Sequence, residues 1–502
     1  MKAVVESSVN EIAGRGGPRL NLQTKALYGI GDIANAVKMV LFGLFTLYLY
    51  TTVMGLPGSL VGIASILVLV WDAAIDPYIG YLSDKAHFHF GRRHTFILVG
   101  ALTMGITFWA FFSPPQGLSI GVLFAWLLGS SLLVRTATSL YGVPYFALGA
   151  ELSQDYHERT SITGIRGILA LLGTLAAASL SFVVFFPDRT AGVDPKLNYA
   201  GYPTMGLAFG LVMTVTGLIA TLGTLSWRPD PSLTLRISLP TGGDAEMSQT
   251  PRNFFASFIQ SLRNPSFRML FISYSLFFLG IVINSSLSIH YLTYYAQLTA
   301  SAALSTFQLA FYVGGLVGVV FWLRLSRVIE KHWLYLLTNL ATATLMICAL
   351  LLVGEGHLFG TGNVRALIIG HALAGFFGSI LWFMPGSMIA DVADEDELVT
   401  GQRREGSFFG LFFFGQQLAA GISLLLNGIL VDWFAGLVPG QASQSPQTAW
   451  RIGLLYSVFP AALLGVAAVL ILRYTLSKQR VAAIRAELDR RRMPITSDLT
   501  GW

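Results

Sequence analysis

Long apolar stretches alternate with short polar ones along almost the whole chain of 502 residues. Twelve of these stretches reach the length of about 20 residues that a helix needs to cross the hydrocarbon core of a bilayer. To within a few residues they cover 27–50, 59–82, 95–112, 118–148, 162–186, 205–227, 269–295, 303–325, 334–353, 364–390, 408–431 and 452–474. A soluble core does not need so many runs of this length, so the pattern predicts an all-α membrane protein with twelve transmembrane helices.

The twelve segments fall into two groups of six. A polar stretch rich in proline, serine, threonine and glycine separates the groups. Two six-helix bundles joined by a long loop are typical of carriers built from repeated halves. We therefore expect an N-terminal tail over 1–26, a first bundle over 27–227, a linker over 228–268, a second bundle over 269–474 and a C-terminal tail over 475–502.

A weak internal repeat supports this division. Segment four places Pro144 before an acidic turn that contains Asp155 and ends at Arg159. Segment ten places Pro385 before an acidic run over 391–397, which we also expect to form a turn. The two features occupy corresponding places in the two halves.

The charge distribution agrees with a membrane protein. Hydrophobic residues make up 54% of the chain and charged residues only 12%, about half the charged fraction of an average soluble domain. If the N-terminus is cytoplasmic, most lysines and arginines fall in cytoplasmic loops, as the positive-inside rule requires. The opposite loops contain only Arg189, Lys196, Arg365 and Arg451. We therefore expect both termini in the cytoplasm, and the net charge of +6 needs no nucleic-acid partner.

Several other classes of protein have no support in the sequence. Cys348 is the single cysteine, which excludes an intramolecular disulfide and a cysteine-based metal site. No GxxxxGK[ST], HExxH or GxSxG motif occurs, so we expect neither an enzyme nor a cofactor. The first 20 residues lack the apolar core of a signal peptide. The run Arg490–Arg492 is interpreted as a solvated tail.

The most informative polar residues are Asp72 and Asp76, within an apolar segment. Residues four apart share one face of a helix, about 6 Å from each other. A carboxylate near the middle of a bilayer costs roughly 2.5–3.5 kcal/mol on insertion scales, which suggests a function. Pro77 lacks an N–H, so the carbonyl of Ala73 loses its helical partner. Oxygen ligands of this kind suit a hard cation such as Na⁺, and a close pair of carboxylates also suits a proton.

Two alternatives for this pair stay open. Asp72 and Asp76 could be structural and pair with Lys38 or Arg135, which also lie in apolar segments. The carboxylates could instead be substrate ligands.

A second group of residues surrounds the loop between segments two and three. Asp84 closes segment two, and Arg92 and Arg93 open segment three. The aspartate can hold either arginine across the short loop and stabilise one arrangement of the helices. We therefore predict a gating role, with a simple basic anchor at the inner interface as the alternative.

A third group consists of acidic and basic residues that follow segments four and ten. Arg159 follows the acidic turn after segment four, and Asp391 and Arg403 flank the corresponding stretch after segment ten. These residues are candidates for ion pairs that break and re-form during transport, with a solvated loop as the alternative.

Further polar and aromatic side chains lie within the segments. Amides and aromatic faces are what a polyhydroxylated ligand requires of its pocket, although each such group can instead join helices. The candidates for substrate binding are Asp32, Asn35, Lys38, Tyr145, Arg166, Trp382 and Gln417.

The motifs together resemble a known family. The heptapeptide 71–77 with Gly80 is similar to the helix-two signature of the glycoside–pentoside–hexuronide:cation symporters, a melibiose-carrier-like branch of the major facilitator superfamily. Weaker matches are Tyr28-Gly29-Ile30-Gly31, Gly91-Arg92-Arg93, Val143-Pro144-Tyr145, Glu158-Arg159-Thr160 and Ala390-Asp391-Val392. The resemblance runs from about Tyr28 to Tyr474, nearly the whole chain.

The resemblance implies the major facilitator fold with alternating access, and a cation site formed by Asp72 and Asp76, with Ser139 as a possible further ligand. The sugar site departs from the family pattern. Two aspartates of the family align with Ala36 and Gly142, a tryptophan aligns with Phe146, and a lysine aligns with Gln417. The cation site is thus kept while the sugar site is rebuilt, and Asp32 is a candidate replacement for the first aspartate.

From these observations we expect a monomeric symporter in a bacterial inner membrane. It would carry a glycoside or small oligosaccharide, bound between the bundles, with Na⁺ or H⁺ at Asp72 and Asp76. A symporter of a lysolipid or another amphiphile is one alternative. A sensor or assembly factor that transports nothing is another.

Overall fold

The computed structural model describes residues 20–86, 90–153, 155–188, 194–225, 260–402 and 404–492. Within these ranges the chain is helical and contains no β-strand. Most of the expected N-terminal tail and linker, and Arg403, lie outside the described residues. The α-helices are α1 (Leu22–Ile30), α2 (Asp32–Tyr48), α3 (Gly58–Lys85), α4 (His94–Phe111), α5 (Ile120–Glu151), α6 (Tyr156–Phe185), α7 (Gly201–Thr224), α8 (Pro265–His290), α9 (Ser301–Leu325), α10 (Lys331–Leu352), α11 (Val364–Gly378), α12 (Met384–Thr400), α13 (Glu405–Leu430), α14 (Pro446–Ile471) and α15 (Lys478–Arg492).

The described residues contain twelve helical stretches that are long and apolar enough to cross a membrane. The predicted all-α class and number of spans are therefore confirmed. The chain divides into two compact units. The first consists of Met1–Gly243, Ala300–Ser305 and Pro439–Ala442, and the second contains the rest. Spans one to six, from α1 to α7, belong to the first unit.

The first span is broken at Gly31, between α1 and α2. A Cβ atom at this position would lie 2.7 Å from the Ala220 Cβ and 2.8 Å from the Tyr145 ring. The Tyr141 hydroxyl donates a hydrogen bond to the Gly31 carbonyl at 2.9 Å. Close packing therefore requires glycine here, and the break sets the position of Asp32, the first residue of α2.

Spans one and seven end in the same way. Each finishes in one π-helical turn, Leu49–Val53 in the first unit and Tyr291–Tyr295 in the second. After these turns the amides of Leu56 and Leu298 each donate, at 2.7 Å, to the carbonyl six residues earlier. The shared geometry at corresponding places agrees with the repeated halves that the sequence indicates.

Span ten differs from the prediction of one helix followed by an acidic turn. Helix α11 leads into a 3₁₀ turn over Ser379–Trp382, and α12 then continues to Thr400. Pro385 suits the first turn of this second helix. The helix stops only at Gly401, whose φ of 70° is the left-handed conformation of a helix end. The acidic residues 391–397 consequently lie on a helix, and the predicted turn is wrong.

The expected C-terminal tail, 475–502, contains helix α15. Val481, Ile484 and Leu488 are buried on one face of this helix, at the spacing of an amphipathic helix that packs on a core. Helix α15 therefore belongs to the packed core of the second unit.

Candidate functional site

The carboxylates of Asp72 and Asp76 on α3 face helix α5. The Ser139 hydroxyl donates a hydrogen bond to Asp76 Oδ1. Arg135 forms an ion pair with Asp72, with 3.1 Å between Nη1 and Oδ2. Arg135 and Ser139 are four residues apart, as are the two aspartates, so each pair lies on one helix face. The structure thus brings the predicted cation ligands together, beside an arginine that neutralises one of them.

The surroundings of this pair supply further oxygen atoms. Trp71 Nε1 donates to Thr136 Oγ1 at 3.0 Å, which fixes α3 against α5. Helix α3 continues through Pro77, so the carbonyl of Ala73 lacks a helical N–H. No cluster of three or more His, Cys, Asp or Glu that could hold a metal occurs within the described ranges. Two carboxylates, a hydroxyl and a carbonyl are nevertheless the donors that a small hard cation prefers.

A second polar cluster lies around Asp32. Arg166 forms an ion pair with this aspartate, with 3.3 Å between Nε and Oδ2. Asn35 Nδ2 donates to Asp32 Oδ1 at 3.1 Å. The guanidinium carbon of Arg166 lies 5.0 Å from the centre of the Phe146 ring, a cation–π distance. Three of the predicted substrate residues are therefore in contact with one another.

Lys38 on α2 interacts electrostatically with both clusters. Its partners are Arg135, Asp72 and Asp76 in the first cluster and Asp32 in the second. It forms no close ion pair with any residue in the described part of the chain. Lys38 therefore links the cation ligands to the Asp32 cluster through space.

Tyr145 is 1% exposed, and its ring stacks on Tyr28 and on Tyr141, at 4.6 and 5.2 Å between ring centres. Its hydroxyl donates to the Tyr28 carbonyl at 2.8 Å. These contacts hold the end of α1, just before Gly31, against α5. In this structure Tyr145 supports the position of Asp32 through packing.

The two remaining substrate candidates belong to the second unit. Trp382 lies in the 3₁₀ turn of span ten and is 47% exposed, 6.4 Å from the Phe311 ring. Gln417 is exposed on α13. Its neighbour Gln416 donates to the Tyr274 hydroxyl at 2.8 Å.

The predicted contact across the loop between spans two and three is present. Arg93 lies 3.2 Å from Asp84, between Nη2 and Oδ1. Glu151 at the end of α5 accepts from both arginines, at 2.8 Å from Arg92 and 2.6 Å from Arg93. The sequence reasoning missed this glutamate as a binding partner, although its place at the end of an apolar segment was a signal.

Arg159 lies in the first turn of α6. Its Nε donates to the Ser153 carbonyl at 2.7 Å. Asp155 caps the same helix by accepting from the Glu158 amide at 2.8 Å, and Glu158 pairs with Lys25 at 2.7 Å. The turn after span four is thus tied to α1 by an ion pair.

Asp391 on α12 receives a hydrogen bond from Lys331 and lies 3.2 Å from Arg485 of α15. Asp394 accepts from the same arginine at 2.9 Å, which raises the pKa of Arg485. Arg480 pairs with Glu395 at 2.7 Å. The basic face of α15 therefore docks on the acidic helix, a partnership that the sequence reasoning missed because it predicted neither helix.

A family model described as MFS/sugar transport protein matches residues 27–478. The chain belongs to this family. It is accordingly a transporter of the major facilitator superfamily and not an enzyme, and the predicted family resemblance is confirmed. Its twelve spans and its relatives make it a multi-pass inner-membrane protein.

Two curated relatives and one solved structure illustrate the likeness. The glucuronide carrier protein homolog of Escherichia coli is 23% identical over 96% of this chain and 99% of its own length. The isoprimeverose transporter of Lactiplantibacillus pentosus is 22% identical over 90% and 88%. The D-xylose–proton symporter structure has a TM-score of 0.62 at 14% identity and covers 90% of this chain and 98% of its own. That structure supports the fold alone.

Proposed function

We propose that the protein is a secondary active symporter, which imports a glycoside or small oligosaccharide together with Na⁺ or H⁺ by alternating access. The observation that carries this proposal is the site of Asp72, Asp76 and Ser139 within a membrane span. Carboxylates at this depth are expensive, and an ion-binding role accounts for two of them on one helix face.

Coupling follows from linkage. A cation held by Asp72, Asp76 and Ser139 joins α3 to α5 and favours the state in which these helices are in contact. A substrate that prefers the same state then binds more tightly in the presence of the cation. The ion gradient thereby drives accumulation of the substrate.

We place the substrate beside Asp32, Asn35 and Arg166. Their carboxylate, amide and guanidinium groups can accept from and donate to sugar hydroxyls, and Phe146 offers an aromatic face. Lys38 connects this place to the cation ligands. Tyr145 packs beside Gly31 and so helps to position Asp32. Trp382 and Gln417 remain candidates in the second unit.

The ion pairs near the helix ends are the proposed gates. An ion pair that breaks and re-forms can stabilise one state of a transporter at a time. The residues assigned to this role are Asp84, Arg92, Arg93, Arg159, Asp391 and Arg403, and Glu151 joins them as the partner of two arginines.

The decisive experiment replaces Asp72 or Asp76 by asparagine and measures uptake into proteoliposomes under Na⁺, Li⁺ or pH gradients. We expect gradient-driven accumulation to fall on the order of 100-fold, because a buried charged contact is lost. Counterflow exchange at equal ion concentrations should survive. Asp489→Asn, an exposed carboxylate on α15, is the matched control. Normal accumulation in both site variants would refute ion coupling at this pair.

The substrate is identified with a panel of glycosides and lysolipids under each gradient. Accumulation of a glycoside supports the proposal. Accumulation of a lysolipid alone would show that the protein carries an amphiphile. The absence of any transport would favour a sensor.

A further inference from the structure

Away from the ends of the spans, the described spans of the first unit contain six charged side chains. They are Asp32, Asp72 and Asp76, and Lys38, Arg135 and Arg166. Three negative and three positive charges sum to zero. An isolated charge is costly in a low-dielectric interior, and a balanced set is much less so. Binding of a single ion therefore moves the net charge of this set away from zero.

Two ion pairs and the longer-range charge interactions of Lys38 join the six charges into one cluster. Arg135 pairs with Asp72 and Arg166 pairs with Asp32. Lys38 interacts with the carboxylates of both groups. All six lie on α2, α3, α5 and α6 of the same unit. A cation bound at Asp72 and Asp76 consequently changes the electrostatic energy of a ligand at the proposed substrate position.

Arg135 already occupies one of the proposed cation ligands. Asp72 is only 4% exposed, so its carboxylate has little access to water as a substitute for the guanidinium. A cation that binds Oδ2 of Asp72, the oxygen paired with Arg135, must therefore displace the guanidinium. The arginine side chain is 32% exposed, and its buried Nε has no hydrogen-bond partner among the described residues. It thus has both room and a donor for a new acceptor.

We propose that Arg135 is a movable counter-ion, and that the substrate is an anionic sugar with one carboxylate or a similar oxyanion. This inference rests on the proposed symport. The cation takes Asp72, and the released guanidinium binds the anion, for which its planar set of donors is well suited. The cluster then returns to zero net charge. A neutral glycoside would leave one uncompensated positive charge in the interior.

The relatives do not decide this question. The names of two of them refer to a glucuronide, which is charged, and to isoprimeverose, which is neutral.

The first test uses the wild-type protein in proteoliposomes with matched sugars. Methyl glucosides and galactosides are compared with the corresponding uronides, which differ only at C6, and methyl sulfoquinovoside tests a sulfonate. We expect the anionic member to be accumulated about tenfold more or better. One cation moving with one anion carries no net charge, so an inside-negative potential should leave the rate of uronide uptake nearly unchanged.

Two outcomes would overturn the inference and leave the proposed symport intact. One is equal or better accumulation of the neutral sugar, and the other is uronide uptake that a membrane potential accelerates. Failure of the proposed symport is different, because then no sugar in either series responds to any ion gradient.

The second test replaces Arg135 by glutamine. Binding of the anionic sugar should weaken about tenfold or more, because its guanidinium partner is lost. Binding of the neutral analogue should stay within about twofold, and the coupling cation should bind more tightly, because its competitor is gone. Arg365→Gln, at an exposed position in the first turn of α11, is the control.

Arg135→Lys separates charge from geometry. It keeps the positive charge without the planar fork, so it should restore part of the anionic-sugar affinity and serves in place of the glutamine variant if that variant does not fold. Equal loss of both sugars, or weaker cation binding, in a folded Arg135 variant contradicts the role of movable counter-ion.

Discussion

The first unit carries charges in the middle of its spans, whereas the second carries them near the ends. Away from helix ends, the described helices α8–α11, α13 and α14 contain neutral polar groups such as Asn284, Gln416 and Asn427. Ion pairs of the second unit join α12 to α15, to Lys331 at the start of α10 and to Arg404, the residue before α13. The difference suggests a division of labour, with ion coupling in the first unit and charges that fasten helix ends in the second.

The neutral groups of the second unit hold helices together. Asn284 Nδ2 donates to the Tyr456 carbonyl at 2.8 Å, which joins α8 to α14. Asn427 Nδ2 donates to the Ile283 carbonyl at 3.1 Å, which joins α13 to α8. Hydrogen bonds of this kind are a common way to associate helices in a bilayer. They can fix a bundle without the charge balance that the first unit must maintain.

The largest effect on stability is expected at Arg404, whose guanidinium lies 2.6 and 2.9 Å from the two oxygens of Asp396. The two side chains are only 7% and 8% exposed. Arg404→Gln leaves a buried carboxylate without its partner, so the free energy of unfolding should fall by about 3 kcal/mol. Thermal unfolding in detergent measures this loss.

The comparison is sharpened by the double variant. Arg404→Gln with Asp396→Asn removes both charges and should recover most of the lost stability. If the double variant is as unstable as Arg404→Gln, the loss does not come from an unpaired buried charge. The proposal that charges fasten helix ends in the second unit would then be wrong.

A smaller effect is expected at Gly31, the break in the first span. Gly31→Ala would force a Cβ atom against Ala220 and Tyr145, which costs about 1–3 kcal/mol in a packed interior. Because Asp32 follows directly, substrate affinity should also fall. Both are measured, by thermal unfolding and by substrate binding.

The second unit offers a matched control, because span seven runs without a break from Pro265 to its π-helical turn. A Cβ atom at Gly280 would lie 2.7 Å from the end of the Leu464 side chain and 3.2 Å from the Pro460 carbonyl oxygen, so its closest contact is with the end of a flexible side chain. Gly280→Ala should therefore do much less damage than Gly31→Ala. Equal damage from both substitutions would show that the break at Gly31 has no special role.

The smallest effect is expected at Arg485, which joins α15 to Asp391 and Asp394. Its side chain is 57% exposed, so water screens the pairs and Arg485→Gln should cost only about 0.5 kcal/mol. The cost should vanish in 1 M salt, where the Debye length is about 3 Å. Arg490→Gln, whose partner Glu487 lies on the same helix, should change nothing. A large loss that salt does not reduce would indicate that packing, not charge, holds α15.

Much of the architecture could be predicted from the sequence. Apolar runs of spanning length gave all twelve spans, because a helix in lipid must satisfy its own backbone and needs a fixed length to cross. The spacing of Asp72 and Asp76 gave their common face. The end of span ten could not be predicted, because an acidic run is compatible with both a turn and a helix. Only the start at Pro385 and the stop at Gly401 decide it.

The sequence by itself therefore determined which residues are apolar enough to span and which charges lie at depth. It left Lys38 and Arg135 as equal partners for the aspartates, since helical spacing fixes the face of one helix but not its rotation against another. The tertiary structure pairs Arg135 with Asp72, places the Ser139 hydroxyl on Asp76 and leaves Lys38 in electrostatic interaction with both clusters. That choice depends on how α2, α3 and α5 pack, and packing is a property of all their side chains together.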